Sequence, residues 1–255
     1  DEEMNNKFSY VNKILFGNIN IKKDQSVLDI GCGGGFTSYH SAKKVGANGI
    51  VTGVDISNPL LRLFKKKYNN INNLSCIRKD LQKTNLKDNI YDHAISRFGV
   101  MFFEYPLEAF KHIYRSLKKN GTLTFVCWTN FRYNQFFSIP AYSVSKEINI
   151  AMPKIDNKPG PFAFKDKSYI QKLLRQSNFK KITVENFKTK LKINNVKTEI
   201  DILMSLGIGA RMIKENNINK KTCNIIRENI SIELRKMLKV QNHYNANIYL
   251  VSACK

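Results

Sequence analysis

Residues 27–35 read Val-Leu-Asp-Ile-Gly-Cys-Gly-Gly-Gly, an apolar run carrying Asp29 and then glycines at 31, 33 and 35. Strand, tight turn and helix start in that order suit a nucleotide-like ligand held at the carboxyl end of a parallel strand. Glycine tolerates positive φ, and without a Cβ it lets a ligand lie against the backbone. The helix expected over 36–45 offers unpaired N–H groups in its first turn. A dinucleotide fingerprint needs a third small residue at position 36, which is Phe36, so the NAD spacing fails. Asp55 ends the next apolar run, 24 residues beyond Gly31, where a carboxylate can accept from both hydroxyls of a ribose. Ser57 or Asn58 can cap the following helix and Pro59 fits its first position, which leaves Asp55 for a ligand. Asp80, just past the run 74–78, suits either an adenine amino group or a turn.

These residues need a scaffold. The segment 7–19 has Phe8, Val11, Leu15 and Ile19 at helical spacing. Strands are expected at 26–30, 50–54, 74–78, 91–96 and 122–128, with helices between them. One helix opens at Pro106 and is expected to stop at Lys118-Lys119-Asn120-Gly121, with cations in its last turn. Five alternations of strand and helix imply a parallel, doubly wound sheet. The run 98–103 puts three Phe and a Met around Gly99, as a ligand-side wall or as core. Beyond Trp128 the segment 129–165 carries Pro140, Pro153, Pro159 and Pro161 and is expected to be irregular. A helix at 166–177, a strand at 182–193, helices at about 196–215 and 219–239, and a strand at 245–253 follow. In the second of those two helices Cys223, Ile226, Ile230, Leu234 and Met237 form one stripe that must be buried. That insert and the 129–165 segment are expected to roof the site.

The chain has 255 residues and a hydrophobic fraction of 42%, enough for a packed core. No apolar run approaches the roughly 18 residues of a membrane span, and no secretory leader pattern opens the chain. Five scattered cysteines form no C-x-x-C pair, so neither zinc nor a disulfide framework is expected. A reducing, cytoplasmic setting is the expectation. The net charge of +22 admits a nucleic-acid or anionic-membrane partner. The lysines are spread along the chain with many asparagines, so the charge reads mainly as compositional, and nucleic acid is a possible but not favoured partner.

The stretches 27–35, 51–57, 96–103 and 117–128 resemble the class I S-adenosylmethionine (SAM) methyltransferases, whose motif is E/D-x-G-x-G-x-G; here it is Asp29-x-Gly31-x-Gly33-x-Gly35. The second and fourth stretches are similar to the ubiquinone/menaquinone C-methyltransferase branch. The resemblance covers nearly all of 8–255. It implies a Rossmann-like, doubly wound α/β fold of seven strands, mostly parallel with an antiparallel last strand. It implies a single domain, with 129–165 and a helical cap at 194–244 as inserts. It assigns Asp29, Gly31, Cys32, Gly33 and Gly35 to the methionine end of SAM, Asp55 and Ile56 to the ribose, and Asp80 and Leu81 to the adenine. Ser96, Arg97 and Phe98 would lie beside the sulfonium. Met101, Phe102, Trp128 and Tyr133 are candidates for the acceptor pocket.

Methyl transfer from a sulfonium needs alignment and desolvation, and a base only where the acceptor must lose a proton. His40, His93 and His112 lie within elements, and His243, Tyr10, Tyr133 and Tyr142 give no distinct base; no catalytic residue is assigned. The segment after the fourth strand, Ser96-Arg97-Phe98-Gly99, lacks the [D/N/S]-P-P-[Y/F] of base-amino methyltransferases, and no cysteine follows a proline. A small, partly hydrophobic acceptor is therefore expected, with S-adenosylhomocysteine as product. The alternatives are a protein or RNA methyltransferase using the basic surface, and a SAM-binding protein without turnover.

Overall fold

The computed structural model describes residues 2–193 and 195–255, which divide into two compact units. The larger comprises residues 12–127, 157–187 and 249–255. Its centre is β1 (Ser26–Ile30), buried at every position, as an apolar run with a partner on each side must be. From β1 the chain runs through α3 (Phe36–Val45), β2 (Ile50–Asp55), α4 (Asn58–Tyr68) and β3 (Leu74–Arg78). It then crosses back to β4 (Tyr91–Arg97), α5 (Pro106–Ser116) and β5 (Leu117–Trp128). After α7 (Lys167–Gln176) come β6 (Lys180–Lys192) and β7 (His243–Cys254). The sheet order is β3-β2-β1-β4-β5-β7-β6. Strands β1 to β5 pair in parallel. Partner positions fall along β7 as they rise along β5: Gly121 O accepts from Lys255 N at 2.9 Å, Thr124 meets Ser252, and Thr129 N donates to Asn247 O at 3.2 Å. Rising against falling positions make β7 antiparallel, and the sheet is the mixed seven-stranded type expected. Strand order reverses between β2 and β4 on either side of β1, the switch point where open α/β sheets bind ligands.

Local chemistry sets most of the boundaries. Helix α4 has Ser57 at its N-cap and Pro59 in its first turn, as expected. The helix expected over 7–19 is two helices, α1 (Glu2–Lys7) and α2 (Ser9–Gly17), and the end of α5 also differs. Helix α5 stops at Ser116, before the two lysines, because Leu117 is already extended and pairs with Tyr91. Lys118 instead donates to Asp92 on β4 at 2.8 Å, so this cation serves the sheet and not a helix terminus.

The smaller unit comprises residues 1–11, 128–156 and 188–248. The segment 129–165 is not irregular throughout: α6 (Gln135–Glu147) occupies it, with Pro140 inside the helix and Phe136, Phe137 and Val144 buried. The proline removes one helical donor, and burial of this apolar face outweighs that loss. The helix expected over 196–215 is two helices, α8 (Val196–Ser205) and α9 (Gly207–Glu215), broken where Leu206 is extended and Gly207 has φ +80°. In α10 (Lys220–Leu238) the stripe Ile226, Ile230 and Leu234 is fully buried, packing on α6 and α8, while Cys223 and Met237 are half-buried. From α1 (Glu2–Lys7), Lys7 reaches a buried ion pair with Glu199 at 2.5 Å. Its ammonium also lies 5.5 Å from the centre of the Phe136 ring and 5.6 Å from that of Tyr244.

Candidate functional site

At the carboxyl ends of β1, β2, β3 and β4 lies a cavity of about 400 Å³ within the larger unit. The glycine turn builds one side. Gly31 N and Cys32 N both donate to Val54 O, at 2.8 and 3.1 Å, which folds the turn over the end of β2. Gly31, Gly33 and Gly35 all have positive φ, at 66°, 53° and 87°. A Cβ on Gly31 would sit 2.8 Å from the Cα of Gly99, and one on Gly99 would sit 2.6 Å from Ile30 O. Backbone therefore meets backbone where β1 and β4 end. Ser96 fixes the contact: its hydroxyl donates to Ile30 O at 2.8 Å and accepts from Gly99 N at 3.1 Å.

The predicted residues fall into three groups. Gly31, Gly33, Asp55, Ile56, Asp80, Leu81, Arg97, Phe98 and Phe102 come together as cavity wall. Asp29, Cys32, Gly35, Ser96 and Met101 lie behind that wall; Met101 is 1% exposed and is core. Trp128 and Tyr133 belong to the smaller unit, where Trp128 packs on Phe8 and Phe137. Phe103, in the run 98–103 read as a possible wall, lines the cavity too, as do Leu60, Lys79 and Gln82, which were not foreseen. Nor was the role of Gly99. Its signal was a glycine just past one strand facing a glycine turn just past its neighbour.

Asp55 is less free than its sequence context implied. Its Oδ2 accepts from Gly33 N and its Oδ1 from Ser57 N, each at 2.8 Å. A carboxylate offers about four lone-pair directions, so acceptor capacity remains on both oxygens. Asp80 Oδ1 accepts from the backbone and side-chain amides of Gln82, both at 3.0 Å. His112 Nδ1 lies 2.7 Å from the carbonyl oxygen of Leu81, fixing that loop against α5.

The registers explain the charge behind the wall. Asp29 pairs with Ile95, so Arg97, two residues on, projects to the same sheet face as Asp29. Asp29 is fully buried. Its Oδ2 accepts from Thr37 Oγ1 at 2.6 Å and Ser38 Oγ at 2.5 Å, while Oδ1 has no hydrogen-bond partner. Burial lifts its carboxyl above the ordinary value, against the lowering pull of Ser38, Thr37 and Arg97. Arg97 donates to Asn12 Oδ1 at 2.9 Å and lies 5.2 Å from the Phe36 ring centre. Burial pushes its guanidinium down to about 10, despite Asp29. Cys32 is buried and its thiol is held far above its usual range by burial, so it is no ready nucleophile. Phe98 holds φ +64°, a strained conformation for a bulky residue, of the kind that collects at functional sites. Among the described residues lining the cavity there is no histidine.

Residues 28–125 match the family model of the methyltransferase domain. Over those residues the chain is similar to methyltransferase domains. The chain is 27% identical over 192 residues to a demethylmenaquinone methyltransferase of Staphylococcus haemolyticus, covering 69% of this chain and 77% of the relative. Over 109 residues it is 30% identical to the demethylmenaquinone methyltransferase of Staphylococcus aureus, covering 43% of this chain and 45% of that one. Its fold is similar to Haemonchus contortus phosphoethanolamine N-methyltransferase 2 in complex with SAM, with TM-score 0.57, 18% identity and 96% of this chain covered. It spans about half, 52%, of that structure's chain. It is also similar to a SAM-dependent methyltransferase of Mesorhizobium loti, with TM-score 0.53, 16% identity, and 95% of this chain and 96% of that one covered. Among the described residues no helix is long and apolar enough to cross a membrane.

Proposed function

We propose that the cavity beside the glycine turn holds SAM, and that the acceptor is a small, partly hydrophobic molecule with an electron-rich, quinone-like ring. The observation carrying this is the convergence of Gly31, Gly33, Asp55 and Asp80 on one cavity at the switch point of the sheet. The residues present suit the cofactor. A Cβ on Gly33 would have only Leu60, at 3.8 Å, within contact, so the missing side chain leaves space for a ligand. Asp55 accepts from the ribose hydroxyls, and Asp80 from the adenine amino group. Ile56 and Phe102, 64% and 56% exposed, supply apolar surface for the base to cover. Arg97, on the cavity wall, presents its cation toward the aminocarboxylate end, with the buried Asp29 behind that wall. SAM contributes the electrophilic sulfonium methyl group.

The chain's own part is to bind, orient and exclude water. Phe98, Phe102 and Phe103 form a wall that lowers the local dielectric. Among the described lining residues the only carboxylates, Asp55 and Asp80, are already hydrogen-bonded. A quinol ring with an ionised hydroxyl brings its own nucleophilic electron pair, and the proton displaced from the methylated ring carbon then leaves to solvent. The similarity to the staphylococcal demethylmenaquinone methyltransferases supports the same class.

Calorimetry tests the cofactor assignment. SAM and S-adenosylhomocysteine should bind and NADH should not. Asp55→Ala should weaken SAM by about 1.5–3 kcal/mol, the value of a hydrogen bond to a charged group. Unchanged affinity would refute the assignment. For the acceptor, methyl-labelled SAM is incubated with a demethylated naphthoquinol, bulk RNA and cell protein. Label should enter the quinol; label in RNA or protein alone overturns this reading.

A further inference from the structure

Charge scattered along the chain gathers on one surface of the larger unit. Between positions 30 and 79 there are eight cations and one acid, and that acid is Asp55 at the cavity. Helices α3 and α4 carry Lys43, Lys44, Arg62, Lys65, Lys66 and Lys67, and no acidic residue. They lie side by side, since Tyr39 of α3 stacks on Tyr68 of α4 at 4.8 Å. Among the salt bridges of the described residues none involves Lys43, Lys44, Arg62, Lys65 or Lys66.

Apolar side chains stand among these cations. Leu60 and Leu63 are 41% and 39% exposed, and with Lys67 they share one line along α4 at helical spacing. The aromatic rings of the patch are already covered. Tyr39 and Tyr68 stack on each other, Lys43 lies 4.4 Å from the centre of Tyr39, and Lys67 lies 5.6 Å from that of Tyr68. Nucleic-acid grooves pair cations with open aromatic faces on which bases stack. Here the open groups between the cations are aliphatic, which suits the boundary of headgroup and acyl chain.

We propose that the outer face of α4, with the end of α3, docks on an anionic lipid surface. Leu60 and Leu63 enter the interface, and Arg62, Lys65, Lys66 and Lys67 meet the acidic headgroups. Leu60 also lines the cavity, so the docking helix borders the site directly. A lipid-dissolved acceptor of the class proposed above would gain from this, but the docking rests on α4 and not on that reading.

The full chain is sedimented with vesicles of phosphatidylcholine alone, and of phosphatidylcholine mixed with phosphatidylglycerol. It should bind only the mixed vesicles, and added salt should release it. The double reversal Arg62→Glu/Lys66→Glu should weaken binding about tenfold or more, since each cation adds to the surface attraction. Lys172→Glu/Arg175→Glu makes the same charge change on exposed residues of α7 and should cost much less. Leu63→Gln should weaken vesicle binding while leaving retention on heparin unchanged. SAM affinity, measured on each variant, should stay constant, which separates loss of docking from failure of the cofactor site. Equal losses in the two double variants would reduce the effect to net charge and overturn the proposal. So would absence of binding to the mixed vesicles. Loss of single-stranded RNA binding on Arg62/Lys66 reversal, with no effect of Leu63→Gln on vesicles, would make the face a nucleic-acid surface instead.

Discussion

Asp29 occupies a costly position, a carboxylate fully buried on the central strand. Burial raises its pKa above 3.8 in the fold, more than Ser38, Thr37 and Arg97 lower it. A raised carboxyl favours the fold below its unfolded pKa, and that contribution is lost as pH rises through the folded value. Asp29→Asn keeps an oxygen for Thr37 and Ser38 and cannot ionise. Its stability relative to wild type should therefore grow as pH climbs from about 3.8, then level off. Urea unfolding at a series of pH values reads this difference, and parallel curves would sink it. Lys7 and Glu199 answer the same cost by pairing. Lys7→Met should destabilise by about 3–5 kcal/mol by stranding Glu199, whereas changing both to Met should restore much of the loss. A single-variant cost below about 1 kcal/mol would show that water reaches the site. The site was readable where one residue type is dictated by backbone geometry, as at Gly31 and Gly33. It was unreadable where a residue's work depends on a strand neighbour. Nothing local distinguishes Ser96, whose hydroxyl is spent on Ile30 and Gly99, from a serine facing a ligand.

The elements divide on the same principle. Strands β1 and β3 begin and end where apolar runs and turn residues put them. Helix α6 escaped because Pro140 is locally a breaker, and what holds the helix is burial against α9. A Cβ on Gly209 would stand 2.9 Å from the Pro140 Cβ and 3.0 Å from its carbonyl carbon. Gly209→Val should therefore push α9 off α6 and cost about 1–3 kcal/mol, as overpacking does. Unchanged denaturation of the smaller unit, followed by tryptophan fluorescence from Trp128, would show that the crossing is looser than this. The end of α5 was misplaced for a similar reason. Lys118 and Lys119 suit a helix terminus on local grounds, but pairing with β4 claims the backbone from Leu117 onward.

For the whole molecule, the alternation of apolar runs fixed the sheet, while the grouping of charge became visible only once α3 and α4 stood together. A net charge of +22 repels itself in any compact state. The Debye length falls from about 30 Å at 0.01 M salt to about 8 Å at 0.15 M. Melting temperature should rise by about 2–4 °C across that range, equivalent to roughly 1 kcal/mol for a chain of this size. A Tm that falls with salt would show that attractive ion pairs outweigh the repulsion. The position of β7 reaches into biosynthesis. It is the last of the seven strands to leave the ribosome, yet its place is between β5 and β6. Until it emerges, a nascent chain holds two open edges facing a missing neighbour, each able to recruit a stranger. Vectorial folding from the N-terminus can complete the cofactor-side strands early but cannot close the sheet. A stalled or truncated product ending before His243 should therefore be a client for chaperones and proteases, even with its glycine turn intact.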